Sequence, residues 1–282
     1  MVREFARAKI NLTLDILGTR ADGFHEVEMI MQALELADAL TLEKISRGVE
    51  LTVTGGENIP TDEKNLAHRA AVEVSKALGK NLGVSISLAK KIPAAAGLGG
   101  GSSDAAAVIR GINRLYALNL SVKEMCEIGA RVGSDVPFCV TGGTCLAKGR
   151  GEILTRLKPL KTFSVILIKP RGEISTAWAY KTYDEKPATV HPPTAEIIQL
   201  LDAENYSAAF PKFANVLEPV ATEKIPAIAT YRKFLQDCGV EVALMSGSGP
   251  TVFALADAVT AEKVAANFSG DAQIFITKTR ID

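Results

Sequence analysis

Between residues 5 and 16 the chain alternates. Ala6, Ala8, Ile10, Leu12, Leu14 and Ile16 share one face, and Arg7, Lys9, Asn11, Thr13 and Asp15 share the other. A period of two predicts a half-buried β-strand, and it turns Lys9 and Asn11 the same way. Small and turn-forming residues at 18–23 then predict a loop. Two or three further strands are expected between Glu26 and Thr54, the clearest at 49–53. Leu66, Ala67, Ala70, Val74 and Leu78 recur at helical spacing and predict a helix over about 64–78. Residues 84–88 alternate again. Beyond a glycine-rich loop, Ala105, Val108, Ile109, Ile112, Leu115 and Tyr116 return to a helical period.

The sequence Ser121-Val122-Lys123-Glu124 is a capping box, and it opens a short helix to about residue 131. Gly133-Ser134-Asp135-Val136-Pro137 breaks that helix, and a glycine-rich turn with a strand follows over 142–147. Residues 163–168 form a continuous apolar run, which suggests a buried strand opening a second unit. The prolines within 186–193 mark a loop. Helices are predicted over 194–202 and 222–238, with Gly239 closing the second. Strands at 241–245 and 251–256 flank the turn 246–250, and a helix over 259–268 and a strand over 273–277 complete the chain. Strands and helices thus intermingle without an internal repeat. The domain boundary is placed near 155–165, giving domains 1–158 and 159–282.

Composition narrows the class of function. The chain has 282 residues, 47% hydrophobic and 23% charged, as expected of a soluble globular protein with ample core. Its 32 basic and 32 acidic residues cancel, and no basic run stands out, so small-molecule partners are expected rather than nucleic acid. The N-terminus carries no signal-like apolar stretch, and no run of about 18 apolar residues offers a membrane span. The expected location is therefore the cytoplasm. Cys126, Cys139, Cys145 and Cys238 form no C-x-x-C pair, and the three histidines are scattered. These cysteines read as reduced thiols rather than as zinc ligands.

The strongest chemical signal is Pro93-Ala94-Ala95-Ala96-Gly97-Leu98-Gly99-Gly100-Gly101-Ser102-Ser103, set between a predicted strand and a predicted helix. Four glycines in five positions let backbone N–H groups approach an anion closely. The helix start adds unpaired N–H groups and the positive end of its dipole, and Ser102 and Ser103 add hydroxyls. A polyphosphate needs such convergent donors. Two familiar nucleotide loops fit badly. A P-loop ends in Gly-Lys-Ser/Thr, whereas Gly101 is followed by Ser102. The dinucleotide fingerprint G-x-G-x-x-G, read from Gly97, fails at Ser102, which argues against a dehydrogenase.

Four other segments accompany the loop: Ala8-Lys9-Ile10-Asn11-Leu12-Thr13-Leu14, Gly18-x-Arg20-x-Asp22-Gly23-Phe24-His25, Gly133-Ser134-Asp135-Val136-Pro137-Phe138 and Ser246-Gly247-Ser248-Gly249-Pro250-Thr251. In this order, over most of the chain, they resemble the galactokinase, homoserine kinase, mevalonate kinase and phosphomevalonate kinase (GHMP) superfamily. The Gly-Leu-Gly-Gly-Gly-Ser-Ser-Asp-Ala-Ala form of the loop resembles the branch that acts on 4-diphosphocytidyl-2-C-methyl-D-erythritol. The resemblance implies an α+β, two-domain GHMP-kinase-like fold. Its N-terminal domain would hold a mixed sheet with the phosphate loop and its helix, and its C-terminal domain would be ferredoxin-like. It also implies ATP-dependent phosphorylation of the substrate's 2-hydroxyl in non-mevalonate isoprenoid precursor synthesis.

Chemistry gives these residues reasons. Phosphoryl transfer needs positioning and charge stabilisation more than covalent work. Asp135 is the candidate to accept the hydroxyl proton, and Lys9 is its candidate partner, able to bear on the hydroxyl or the γ-phosphate. Their bland alternatives are a turn residue and a solvated strand lysine. The ATP site is read as residues 93–103 together with Asn65, whose amide can read an adenine edge or serve as a polar helix-start residue. Mg2+ is expected with the nucleotide. No protein ligand is assigned to it: Asp135 or Ser102 could approach, or phosphates and water could hold it. On the substrate side stand Asn11, Phe24, His25, Lys148, Thr176 and Tyr180. An aromatic face and polar groups suit cytosine. The family commonly has tyrosine before the histidine, so Phe24 keeps the ring and loses the hydroxyl. Tyr180 reads as a second aromatic wall or as helix packing, and Lys148 as a contact to a substrate phosphate. Two rival readings remain: another member of the superfamily, such as mevalonate or homoserine kinase, against which Asp22-Gly23-Phe24-His25 speaks, and a regulatory nucleotide-binding protein without catalysis, against which retention of both Lys9 and Asp135 speaks.

Overall fold

The computed structural model describes residues 1–56 and 58–281. The chain forms two compact units, neither a continuous stretch. One comprises Met1–Lys9, Leu36–Ala94 and Gly99–Gly142, and the other Ile10–Glu35, Ala95–Leu98 and Gly143–Asp282. Two long paired strands, β1 (Val2–Thr19) and β2 (His25–Lys44), each contribute residues to both. Strand β1 departs from expectation in one respect. From Ala8 to Ile16 both of its faces are buried, so Lys9, Asn11, Thr13 and Asp15 are enclosed rather than solvated. Alternation reports which residues share a face, not what covers that face.

In the first unit the C-terminal half of β2 pairs antiparallel with β4 (Val84–Ala89), and β3 (Val49–Thr54) runs parallel to β4, a mixed sheet. Three helices pack on it: α1 (Leu66–Ala77), α2 (Gly100–Leu115) and α3 (Val122–Val132). Their apolar stripes, among them Ala70, Val74, Val108, Ile112 and Ile128, bury against Leu40, Leu42, Ile86 and Leu88. The predicted capping box is present at the start of α3, with Ser121 and Glu124 satisfying each other's backbone N–H. The segment read as a break is only partly one. After Gly133-Ser134-Asp135 a short helix, α4 (Val136–Thr141), begins, with Pro137 in its first turn, where no N–H is required.

In the second unit the N-terminal half of β2 pairs antiparallel with β5 (Thr144–Lys148), which pairs with β6 (Ile153–Arg156). A separate sheet has β7 (Ser164–Pro170), β8 (Val242–Met245), β9 (Val252–Ala256) and β10 (Ala272–Lys278) in the order β10-β7-β9-β8, every pair antiparallel. That order is the ferredoxin-like one, with helices in the two crossovers. The first crossover carries α5 (Thr176–Glu185), α6 (Thr194–Asp202), α7 (Tyr206–Ala209), α8 (Glu218–Lys224) and α9 (Ala227–Asp237), and the second carries α10 (Ala258–Asn267). The single helix predicted over 222–238 is in fact α8 and α9. Pro226 lacks the N–H to continue a helix and drives Ile225 out of helical conformation, to φ −128° and ψ 85°. Among the described residues no helix is long and apolar enough to cross a membrane, and all four cysteines are free thiols.

Candidate active site

The glycine-rich loop is shaped by contacts on both of its halves. Gly97 has φ +75°, and a Cβ there would lie 2.2 Å from the Ser246 carbonyl oxygen, so only glycine fits. The late glycine-rich turn supports this half, with the Ser246 hydroxyl donating to the Gly97 carbonyl at 3.0 Å. The Thr251 N–H donates to the Ala96 carbonyl at 3.4 Å. Gly99, with φ +68°, begins α2, and a Cβ there would lie 2.9 Å from Lys9 Cγ. The first turn of α2 holds no acid, and its N-cap residue, Gly99, has no side chain to cap it. Its N–H groups and positive dipole end are available to an anion. Gly101 is exposed in that turn, and an added Cβ would meet only Leu66, at 3.4 Å. The fold makes no demand for glycine there, although glycine inside a helix costs roughly 0.5–1 kcal/mol relative to alanine. A glycine there leaves the backbone open to close approach by a ligand.

Beside this turn the structure joins the two residues predicted to act on the transferred group. Lys9 Nζ lies 3.5 Å from Asp135 Oδ2, the lysine side chain nearly buried and the carboxylate 31% exposed. The local sequence sets that exposure. The Gly133 N–H bonds to Gly129 and ends α3, the Val136 N–H closes a turn on Gly133, and the Cys139 N–H bonds to the Asp135 carbonyl to start α4. The carboxylate thus projects from a tight junction between helices. Ser102 faces the same junction, its Oγ 3.9 Å from where a Gly133 Cβ would stand. Ser103, by contrast, is buried and donates its hydroxyl to the Arg7 carbonyl on β1. Burial, and next the Asp135 charge, push the Cys139 thiol up to about 12, so it stays protonated beside the carboxylate.

Sequence reasoning missed a second charged group in this unit. Lys90 Nζ lies 2.5 Å from Asp38 Oδ2 and 2.7 Å from Asp104 Oδ2, all three side chains buried. A signal existed in the sequence. Asp104 sits four residues before Val108 on the stripe that α2 buries, where an unpaired charge would be prohibitive. Asn65 caps α1, its side-chain oxygen accepting from the Ala67 N–H at 2.9 Å and its amide nitrogen donating to the Pro60 carbonyl at 2.7 Å.

In the second unit His25, at the start of β2, meets two residues of α5. Its ring centroid is 4.8 Å from that of Tyr180, and its Nε2 is 2.8 Å from Asp184 Oδ1. Tyr180 and Asp184 are one helical turn apart and so share a face; that spacing could have revealed Asp184. Phe24 is half exposed, and the Arg150 guanidinium covers its ring at 4.7 Å. Lys148 pairs with Glu28 at 2.8 Å, and the Glu28 hydrogen bond raises its pKa. The Thr176 and Ser248 hydroxyls are 2.9 Å apart. Buried Asn11 directs its amide nitrogen to the Met29 sulfur at 3.2 Å. Among the described residues no group of three His, Cys, Asp or Glu side chains could hold a metal ion.

A phosphate-ready helix start next to a lysine–carboxylate pair, in a two-unit α+β chain, defines a small-molecule kinase. Comparison with known proteins agrees. The family described as GHMP kinases N terminal domain matches residues 65–143, and that described as GHMP kinases C terminal matches residues 190–272. A 4-diphosphocytidyl-2-C-methyl-D-erythritol kinase of Bacillus pumilus is 45% identical, over 90% of this chain and 88% of its own length. Its namesake from Pelotomaculum thermopropionicum is 42% identical over 99% and 98%. A crystal structure of 4-(cytidine 5'-diphospho)-2C-methyl-D-erythritol kinase superposes with a TM-score of 0.83 at 31% identity, covering 99% of each chain. The chain belongs to the GHMP kinases, in the 4-diphosphocytidyl-2-C-methyl-D-erythritol kinase family.

Proposed function

We propose that this chain transfers the γ-phosphoryl group of ATP to the 2-hydroxyl of 4-diphosphocytidyl-2-C-methyl-D-erythritol, a step of non-mevalonate isoprenoid precursor synthesis. The observation that carries the chemistry is the 3.5 Å Lys9–Asp135 pair beside the acid-free first turn of α2. The substrate is supported by the names of the relatives and by the His25–Tyr180 pair, an aromatic and polar surface suited to cytosine.

In this reading the N–H groups at the start of α2, with the Ser102 hydroxyl, hold the nucleotide phosphates. Asn65 lies on the adenine side, next to Leu66 under Gly101. The acceptor oxygen attacks the γ-phosphorus, the bond to the bridging oxygen of the β-phosphate breaks, and ADP leaves. The hydroxyl proton passes to Asp135, and the Lys9 ammonium offsets the charge that builds on the phosphoryl oxygens. A magnesium ion accompanying ATP would rest mainly on phosphate oxygens and water, with Asp135 and Ser102 the side chains closest to it in role. It would neutralise phosphate charge. Phe24, His25 and Tyr180 serve the cytosine, and Asn11, Thr176 and Lys148 the remainder of the conjugate.

The deciding experiment is a coupled ATP-consumption assay with the cytidine conjugate, mevalonate and homoserine as acceptors, run on the wild type and Asp135→Asn. Turnover should be confined to the cytidine conjugate, and the variant should lose about 10²- to 10⁴-fold in kcat. Failure of the conjugate as acceptor would remove the substrate assignment, and near-normal turnover by the variant would remove Asp135 as the base.

A further inference from the structure

The Lys90–Asp38–Asp104 cluster takes no part in the transfer chemistry, yet it lies at both ends of the phosphate loop. Lys90 follows the last residue of β4, and its own N–H is fixed to the Thr54 carbonyl at 2.8 Å. Asp38 uses one oxygen for the lysine. The other accepts the N–H groups of Lys91, at 2.5 Å, and Ile92, at 2.8 Å, the two residues that lead into the loop. Asp104 stands on α2 just past its first turn. The ammonium also lies beneath that turn, 3.4 Å from where a Gly100 Cβ would be. One buried cation therefore ties the strand that enters the loop to the helix that leaves it.

Stability alone gives this arrangement little reason. A buried ion cluster is often no more stabilising than well-packed apolar side chains of the same volume, because desolvation offsets the attraction. Here two carboxylates face one ammonium. Burial pushes the Asp104 carboxyl up to about 7, and among the described residues its Oδ1 has no hydrogen-bond partner. What the cluster supplies is a fixed distance and direction between the end of β4 and the N-terminus of α2. Convergent N–H groups bind a polyphosphate well only when held in place before it arrives.

We propose that Lys90 is a positioning residue for the nucleotide phosphates, acting through Asp38 and Asp104 to set the span of the loop between them. This rests on the reading of the loop as the ATP-phosphate site. The test compares Lys90→Met, Asp104→Ala and Asp104→Asn with the wild type, using KM for ATP, KM for the cytidine conjugate, and thermal melts. Lys90→Met and Asp104→Ala should raise KM for ATP about tenfold to a hundredfold, while KM for the conjugate stays near the wild-type value. Asp104→Asn keeps an amide oxygen that can accept from Lys90, so it should recover most of the ATP affinity. Wild-type KM for ATP in both Lys90→Met and Asp104→Ala overturns the proposal. So does an Asp104→Asn enzyme as impaired as Asp104→Ala. Should Lys90→Met not fold, the two Asp104 variants carry the decision. Loss of the underlying reading would look different: the wild type itself would show no saturable dependence on ATP, and the proposal would fall with it.

Discussion

Replacing Gly101 with alanine sets fold stability and nucleotide binding against each other. The residue lies in the first turn of α2, and the new methyl would meet Leu66 Cδ1 at 3.4 Å, an ordinary contact. Removing a helical glycine should stabilise the fold by up to about 1 kcal/mol. For units of this size that corresponds to a rise in Tm of about 2–4 °C. The same methyl stands among the N–H groups assigned to the phosphates. A hydrogen bond to a charged group contributes about 1.5–3 kcal/mol, so losing one weakens ATP binding roughly tenfold to over a hundredfold. The assay pairs a melt without nucleotide with calorimetric titrations of ATP and AMP. Tm should rise, ATP affinity should fall, and AMP affinity should fall less, because fewer phosphates are involved. A raised Tm with unchanged ATP affinity would refute the argument that a ligand is the reason for this glycine.

Gly99→Ala should lower both stability and rate. Its left-handed backbone costs an L-residue about 1–2 kcal/mol, and the Cβ would press on Lys9 Cγ at 2.9 Å. A single-turnover kcat reduced about 10- to 100-fold checks the displacement of Lys9, and a wild-type rate would count against it. Asp184→Asn changes the partner of His25 and should raise KM for the cytidine conjugate about 3- to 10-fold without altering KM for ATP. Equal changes in both constants would argue against a substrate-side role. Stability should also depend on pH through Asp104, whose carboxyl burial lifts from 3.8 to about 7. Between those values the folded chain keeps a proton that the unfolded chain has released. This contribution is full below about pH 4 and is lost as pH rises through about 7. Asp104→Asn should flatten the fall in Tm between pH 5 and 8, and parallel curves for the two proteins would contradict the assignment.

Much of the fold is legible because its signals are local. The alternation of β1, the apolar stripes of α1 and α2, the Ser121–Glu124 box and the glycine loop each act over a few residues, and each appears where expected. The failures are instructive. The segment 222–238 reads as one helix, but Pro226 divides it into α8 and α9, because it has no N–H with which to carry the helix on. The polar face of β1 looked solvated and is buried. Lys9 and Asp135 are marked by their motifs, whereas Asp38 and Lys90 carry no local mark that separates them from ordinary charges.

The sequence by itself determined where most strands and helices lie and that a glycine-rich segment opens a helix, and it singled out the lysine and aspartate proposed for the transfer. Only the tertiary structure decided which charges meet. Lys90 reaches Asp38 across 52 residues, and His25 reaches Asp184 across 159. Such pairs depend on how β2 registers with β4 and where α5 packs. For the Lys90 cluster burial then makes the pairing obligatory, because an enclosed charge without a partner costs more than the fold can bear. Dihedral preference and side-chain period are properties of neighbouring residues, whereas neutralising a buried charge is a property of the packed core.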